Sequence, residues 1–352
     1  MTQASGYFHR VAAMSPTRLW INNVTVAEAD LAIAAGATGS TQNPTYVDKM
    51  LRHPDAHDDA YALLDGLLDA QPDDNALQEQ LQGALVARVA QRFWPLYASS
   101  HGRLGYVTVQ ADPFHEDFET IVAAAHAHCA LAPNIMAKIP AVPAGFAAMR
   151  ELLREGVPVL ATEVMSVAQA LVCAQLYEDA AAQLERPPVL YFAHIPGIFD
   201  EYLTGVVESD GVDIPSDYVW QAGVAVAKKI AALLRERGCD IGFCSGGARG
   251  LHHFTEMVGA RCCVTINYAG CADELLRRDP PVVQHFLRPT PASVTDALSA
   301  ALPDFRKAYE MDGLAPEEFE DFGPVRLFRG NFQKGWAHAN ELIAARRAES
   351  AD

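Results

Sequence analysis

Lysine is scarce in this chain: there are six, against many more arginines. One of them, Lys138, closes the apolar run Asn134-Ile-Met-Ala-Lys-Ile-Pro140. An amine carried into a dry interior loses hydration, its pKa falls, and the free base can attack a carbonyl to form a Schiff base. A structural lysine paired with a carboxylate would occupy the same kind of place, and position alone does not separate the two. A second segment with chemical content is Ser245-Gly-Gly-Ala-Arg-Gly250. Its glycines let main-chain N–H groups approach an anion, a helix starting there adds a favourable dipole, and Arg249 adds a fork of donors. The bland alternative is a tight turn with a solvent-facing arginine.

Other pairs of reactive side chains carry less. His126 and His128 are two apart on a helical stretch, so they point to different faces and do not share one ion easily. Cys262 and Cys263 are adjacent on a strand and point to opposite sides. No C-x-x-C, H-E-x-x-H or G-x-S-x-G pattern is present, so no metal site is expected.

The elements that must position these groups alternate along the chain. Candidate strands are Thr17–Asn22, Ala37–Thr41, Leu104–Gln110, Asn134–Ile139, Val157–Thr162, Pro188–His194, Asp240–Cys244 and Cys262–Ile266. Between them lie amphipathic helical stretches. Gly145–Glu155, for example, places Phe146, Met149, Leu152 and Leu153 on one face and stops at Gly156. Helical patterns also cover Val26–Ala35, Asp117–Cys129, Val167–Glu178 and Ala222–Glu236. Eight short strands alternating with helices imply parallel βα units, and eight is the number that closes a barrel. An open doubly wound sheet is the alternative, weakened by the lack of a G-x-G-x-x-G at the first helix. Two connections are long: Asn43 to Ser100, with helical patterns of its own, and Asn267 to Asp352, whose helices should pack over the barrel or its mouth. Asp210–Asp217 reads as a loop before a helix.

Length and composition bound the rest. At 352 residues the chain suits two average domains or one barrel. Lys+Arg 27 against Asp+Glu 44 gives a formal net charge of −17, which disfavours nucleic acid and anionic lipid as partners. The odd count of seven cysteines suits free thiols in a reducing cytoplasm. No run of 18 apolar residues suggests a membrane span, and Met1 to Pro16 has no apolar stretch after Arg10 that would read as a signal peptide.

Four blocks, in order, resemble the transaldolase family, whose Schiff-base members are α/β barrels. They are Gly36-Ala-Thr-Gly-Ser-Thr-Gln-Asn-Pro44, Val107-Thr-Val-Gln-Ala-Asp-Pro113, Met136-Ala-Lys-Ile-Pro-Ala141 with Gly145 after it, and Gly156-Val-Pro-Val-Leu-Ala-Thr-Glu-Val-Met-Ser-Val-Ala-Gln-Ala170. Val264-Thr-Ile266 with Asp273-Glu-Leu-Leu276 is a weaker echo of the last strand, and coverage runs from about residue 17 to 276. The resemblance implies that Lys138 is the Schiff-base residue, that a ketose donor binds as an iminium, and that the enamine left after cleavage attacks an aldehyde. It implies that Asn43, in the block that also holds Thr41, bonds donor hydroxyls. Thr162 matches the family's threonine near the catalytic water.

The departures fall on groups that move protons. The family's strand-one aspartate is Asn22 here and its strand-three glutamate is Gln110. An amide keeps hydrogen bonds but does not exchange a proton at neutral pH. The strand-five asparagine falls on Leu160, and the phosphate-binding arginine of strand six is absent from Ala193-His-Ile-Pro-Gly-Ile198. Glu163 and His194 lie beside matched positions and are candidate replacements as acid or base; a salt-bridged carboxylate and an imidazole satisfied by a backbone carbonyl are the alternatives. The family's seventh-strand arginine is offset by two residues from Arg249, which is nonetheless the candidate for the substrate's anionic end, with Ser245 beside it.

The expectation is therefore a single (β/α)8 (TIM) barrel over residues 1–352, with core 17–276, a helical insertion after strand two, and a helical C-terminal extension over 277–352. Its expected activity is transfer of a ketose-derived carbon fragment to an aldehyde, as in the pentose phosphate pathway, with no cofactor and no metal. The expected partner is a sugar or sugar phosphate, in the cytoplasm, with a homodimer possible. Two other readings stay open: an aldolase or specialised-metabolism lyase or transferase on an atypical sugar, and a catalytically silent metabolite-binding barrel.

Overall fold

The computed structural model describes residues 6–351; Met1 to Ser5 and Asp352, which belong to the N-terminal stretch and the C-terminal extension read above, lie outside the described residues. Eight strands form: β1 (Arg18–Asn22), β2 (Ala37–Thr41), β3 (Val107–Val109), β4 (Ile135–Pro140), β5 (Val159–Val164), β6 (Leu190–His194), β7 (Gly242–Ser245) and β8 (Cys263–Asn267). They pair in chain order, all parallel, and β8 closes on β1, so the sheet is a closed eight-stranded barrel. The open-sheet alternative is excluded.

The strand ends differ from the sequence pattern where the backbone is constrained. Leu104–Gln110 alternates well, yet only Val107–Val109 pairs as strand. Gly105 is the reason: it turns at φ +82°, and a Cβ there would lie 2.5 Å from the Tyr97 main-chain nitrogen. Conversely β5 extends two residues beyond Thr162 through a bulge between Ala161 and Val164, with Glu163 at φ +63°. A non-glycine residue in the left-handed region is held there by its surroundings at some cost. The loop expected at Asp210–Asp217 is shorter. The helix Pro196–Asp210 ends at Gly211, in the left-handed conformation that suits a C-terminal cap, and a short helix Ser216–Val219 follows.

Alternation along each strand sorts the side chains. The outward set packs against the helices in one continuous core. The inward set fills the base of the barrel with aromatic rings. Trp20 and Tyr191 lie 5.7 Å apart. Gly39 and Gly242 leave the space they need, since a Cβ at either would come within 2.4 Å of Trp20 or Tyr191. Trp20 and Tyr191 border a depression of about 390 Å³ at the N-terminal ends of the strands, and the interior above these rings is reached from the C-terminal ends.

The long connections shape that end. The segment after β2 forms three helices, Tyr46–Arg52, His57–Asp65 and Asp74–Ser99. The last helix of the chain, Gly323–Ala351, packs on the first and third of these, on Pro196–Asp210 and on β5. Trp336 is wholly buried beneath it and donates its indole N–H to Asn75 Oδ1 at 2.7 Å. Gly335 permits the close approach, because a Cβ there would meet Thr45 at 2.7 Å. The helix lies across the barrel mouth rather than trailing away from it. Among the described residues no helix is long and apolar enough to cross a membrane, and all seven cysteines are free.

Candidate active site

Strand β4 places Lys138 inward, in register with Leu160 on β5. Its side chain is 8% exposed. Burial lowers the amine to about 8, against the opposing pull of Glu163, Cys244 and Glu116. The ring of Phe332, from the last helix, stands 5.1 Å from Nζ and supplies an aromatic face that favours the cation modestly. A cavity of about 330 Å³ opens onto this amine, walled by Asn22, Thr41, Asn43, Asn267, Arg249 and Phe332 among others. A base that sheds its proton near neutral pH, at the foot of a cavity of small-molecule size, is a nucleophile in waiting.

One wall of the cavity is a lattice of amides and hydroxyls. Thr41 donates to Asn22 Oδ1 at 3.1 Å, so the 2.7 Å contact with Thr265 is a bond that Thr41 accepts. Asn22 in turn donates to Asn267 Oδ1 at 2.9 Å. Asn43 Oδ1 already accepts from Asn23 Nδ2, Thr45 N and Thr45 Oγ1, at 3.0, 3.0 and 2.7 Å. The Asn43 group left to serve a ligand is its Nδ2. This wall can orient hydroxyls; it cannot exchange protons at neutral pH.

The ionisable groups gather on the other side. The bulge in β5 turns Glu163 into the barrel interior, where it is wholly buried and its Oε1 accepts from Gln110 Nε2 at 3.1 Å. Burial raises Glu163, opposed by Arg329, Gln110 and Lys138. Glu116 is raised to about 9, first by burial and then by Glu163, with Arg329 pulling down. Arg329 Nε lies 2.9 Å from Glu116 Oε2 and 3.9 Å from Glu163 Oε2. Thr162 Oγ1 and Gln110 Oε1 are buried with no hydrogen-bond partner among the described residues.

Of the residues singled out from the sequence, Lys138, Asn22, Thr41 and Asn43 thus share one cavity, Gln110 and Glu163 join each other beside Lys138, and Thr162 is buried one residue before Glu163. Arg249 also lines the cavity, but its guanidinium is paired with Glu201 and is half exposed. The glycine segment before it leads into a helix of only four residues, His252–Thr255, so the expected helix dipole is slight.

Two expectations are corrected. His194 does not reach the site. Its neighbour Ala193 lines the cavity, so His194 faces the helices, with Nδ1 and Nε2 each 2.9 Å from a main-chain oxygen, of Val164 and Gly223. Burial lowers it to about 4, so the ring is neutral and structural. Ser245 follows the inward Cys244 and is buried away from the cavity, with its Oγ unpartnered among the described residues.

Three participants were not read from the sequence: Glu116, Arg329 and Phe332. Arg329, Phe332 and Trp336 recur at helical spacing in the last helix, and an arginine on an otherwise apolar stripe was the signal available. Nothing in the sequence distinguished Glu116. One further group was also unread. Asp200, His252 and His253 bring ligating atoms within 4.8 Å of one another. His253 already uses both ring nitrogens: Nε2 lies 3.0 Å from Asp200 Oδ2, and Nδ1 accepts the Arg249 N–H at 3.2 Å. Asp200 Oδ1 accepts the Gly223 N–H at 2.6 Å. This group ties three helices together.

Comparison with known proteins matches residues 19–277 to the family model described as transaldolase/fructose-6-phosphate aldolase. Transaldolase of Campylobacter jejuni subsp. jejuni serotype O:23/36 (strain 81-176) is 26% identical to this chain over 144 residues, 40% of this chain and 42% of the relative. Transaldolase of C. jejuni subsp. jejuni serotype O:6 (strain 81116 / NCTC 11828) gives the same figures. The chain spans about two fifths of the length of these curated relatives.

Proposed function

This chain belongs to the transaldolase/fructose-6-phosphate aldolase family, and on that premise we propose that it makes or breaks a carbon–carbon bond of a ketose through a Schiff base on Lys138. The observation that carries the reading is the buried Lys138 amine, lowered to about 8 at the foot of a cavity. The free amine adds to the ketose carbonyl, and loss of water leaves an iminium. Removal of the proton from the hydroxyl two carbons away then lets the intervening bond break. Its electron pair flows to the iminium, giving an enamine and an aldehyde. Attack of the enamine on a second aldehyde (transfer) or its protonation (cleavage) restores an iminium. Water adds to this and displaces the lysine nitrogen, releasing the ketone product and the free amine.

The proton carrier in this reading is Glu163. Asn22 and Gln110 are amides, whereas Glu163 is a carboxyl buried next to Lys138. Its burial keeps its pKa above the ordinary carboxylate range, which suits a group that must both take and give a proton. Asn22, Thr41 and the Nδ2 of Asn43 orient the donor hydroxyls. A sugar or sugar phosphate is the substrate class. An aldolase or lyase acting on an atypical sugar is the second reading, favoured by the amide at Asn22 and by Ile198 where the resemblance calls for an arginine.

The test is reductive trapping. Cyanoborohydride with dihydroxyacetone or fructose 6-phosphate should add the donor fragment's mass to Lys138. The Lys138→Ala protein should gain none. A wild-type protein that yields no adduct with any ketose or aldehyde offered would reject the reading and leave a silent binding barrel in its place.

A further inference from the structure

The family match ends at residue 277, yet the groups around Lys138 include one from far beyond it. Arg329 enters the barrel mouth from the last helix, between Phe328 and Phe332, and is 15% exposed. Its Nε is the nearest cation to two carboxyls, Glu116 at 2.9 Å and Glu163 at 3.9 Å, and its Nη1 is held by the exposed Glu320 at 2.7 Å. Gln110 donates to Glu163 from β3's end, and Lys138 and Cys244 face the same space from β4 and β7.

Charge counting shows what such a cluster can do. Lys138 must be neutral to attack. The buried carboxyls then have one buried cation, Arg329, between them, and like charges so placed retain a proton. Lys138, Gln110 and Arg329 favour the Glu163 anion, Arg329 stands closer still to Glu116, and burial raises both carboxyls, so the pair holds one proton between its members.

We propose that Arg329 is a positioning residue for the lysine chemistry: it holds the Glu116 and Glu163 carboxyls with one charge and one proton between them, so that the pair accepts a proton beside Lys138 and supplies the one that departs with water. The inference rests on the Schiff-base reading of Lys138. When the amine adds to the ketone, the C–N bond forms as the C=O π pair moves to oxygen. Glu163 takes the proton from nitrogen and returns it to that oxygen. The nitrogen lone pair then expels hydroxide, which takes the proton that the carboxyl pair holds and leaves as water. Before this sequence the cluster holds Arg329 plus and one negative charge on the carboxyl pair. Afterwards it holds Arg329 and the iminium plus, Glu163 and Glu116 minus. It is neutral at both ends, so water-poor surroundings do not oppose the step.

The experiment is the pH profile of cyanoborohydride trapping with dihydroxyacetone on the full chain, for wild type, Arg329→Gln, Arg329→Lys and Glu116→Gln. Removing the guanidinium makes Glu163 harder to ionise. Arg329→Gln should therefore move the acid limb up by at least one pH unit, a loss of tenfold or more at pH 6 with little change at the optimum. Arg329→Lys should stay within about a third of a pH unit of wild type. Glu116→Gln should be slower and lose the alkaline limb. An Arg329→Gln profile lowered by one factor at every pH is the mark of a packing role and overturns the proposal. If Arg329→Gln does not fold, a shifted acid limb in Arg329→Lys or a retained alkaline limb in Glu116→Gln does the same. Absence of any wild-type adduct would instead sink the Schiff-base reading beneath it.

Discussion

Two buried clusters of ionisable side chains flank the barrel wall, one inside the ring of strands and one between strands and helices. In the outer cluster, Asp200 and His253 find a partner for every carboxylate oxygen and ring nitrogen, and the neutral His194 ring donates to one of the two main-chain oxygens beside it. His252 is stacked between Trp220 and His253, and its buried Nε2 has no partner among the described residues. In the inner cluster, Gln110 Oε1, Thr162 Oγ1 and Arg329 Nη2 are buried and unpartnered among the described residues, and Glu163 sits on left-handed backbone. Both clusters are desolvated. The outer one has hydrogen bonds that offset this, while the inner one holds capacity open at a cost in stability. Hydrogen bonds closed among the members of a cluster mark a structural tie; open capacity beside a nucleophile marks a place for chemistry.

The largest effect follows from removing the nucleophile itself. Lys138→Met should abolish trapping and at the same time stabilise the fold. A fall from the ordinary 10.5 to about 8 corresponds to roughly 3 kcal/mol of disfavoured charge near neutral pH. The sign is fixed by proton counting. Between about pH 8 and 10.5 the unfolded chain binds this proton and the folded one does not, so wild-type stability gains with rising pH through that window. The advantage of Lys138→Met, read by urea unfolding, should therefore be full below pH 8 and vanish towards 10.5. An equal or lower stability for Lys138→Met at pH 7 would remove the contrast between the clusters.

Glu163→Gln comes next. It keeps the shape and the contact with Gln110 while ending proton exchange. The trapping rate should fall by roughly 10²–10⁴-fold, with stability unchanged or raised. A loss of less than threefold would move the proton carrier elsewhere.

The outer cluster should answer in the opposite way. Asp200→Ala strands the Gly223 N–H and the His253 ring, and should cost about 2–4 kcal/mol in urea unfolding. Adduct formation by the folded fraction should stay within about threefold of wild type, since none of these groups lines the Lys138 cavity. A mutant with normal stability and no adduct would assign this cluster to the chemistry.

These contrasts also explain what could be read without coordinates. Strand alternation with bounding glycines gives eight strands, and Lys138 stands out because a charge interrupts an apolar strand. The same alternation fails at Glu163. A period of two places it opposite to Thr162, and only the bulge at φ +63° rotates it inward. His194 shows the rule working in the other direction: next to the inward Ala193, it had to face the helices. Glu116 and Arg329 are more than 200 residues apart and meet only because the last helix crosses the mouth, a long-range docking that no local pattern encodes.

Arg249 offers the smallest and sharpest test, because it borders both regions. Its main-chain N–H serves His253, and the residue also lines the Lys138 cavity. The guanidinium is paired with Glu201 and both are close to half exposed, so Arg249→Ala should change stability by less than about 1 kcal/mol. If it grips an anionic end, the ratio of affinities for fructose 6-phosphate and fructose should fall. The fall should be less than about tenfold, since a charge-assisted bond worth roughly 1.5–3 kcal/mol is here shared with Glu201. Glu201→Gln should then raise that ratio by freeing the fork. Equal losses for the two sugars in Arg249→Ala, with no gain in Glu201→Gln, would leave Arg249 as a surface partner of Glu201 and place phosphate recognition elsewhere in the cavity.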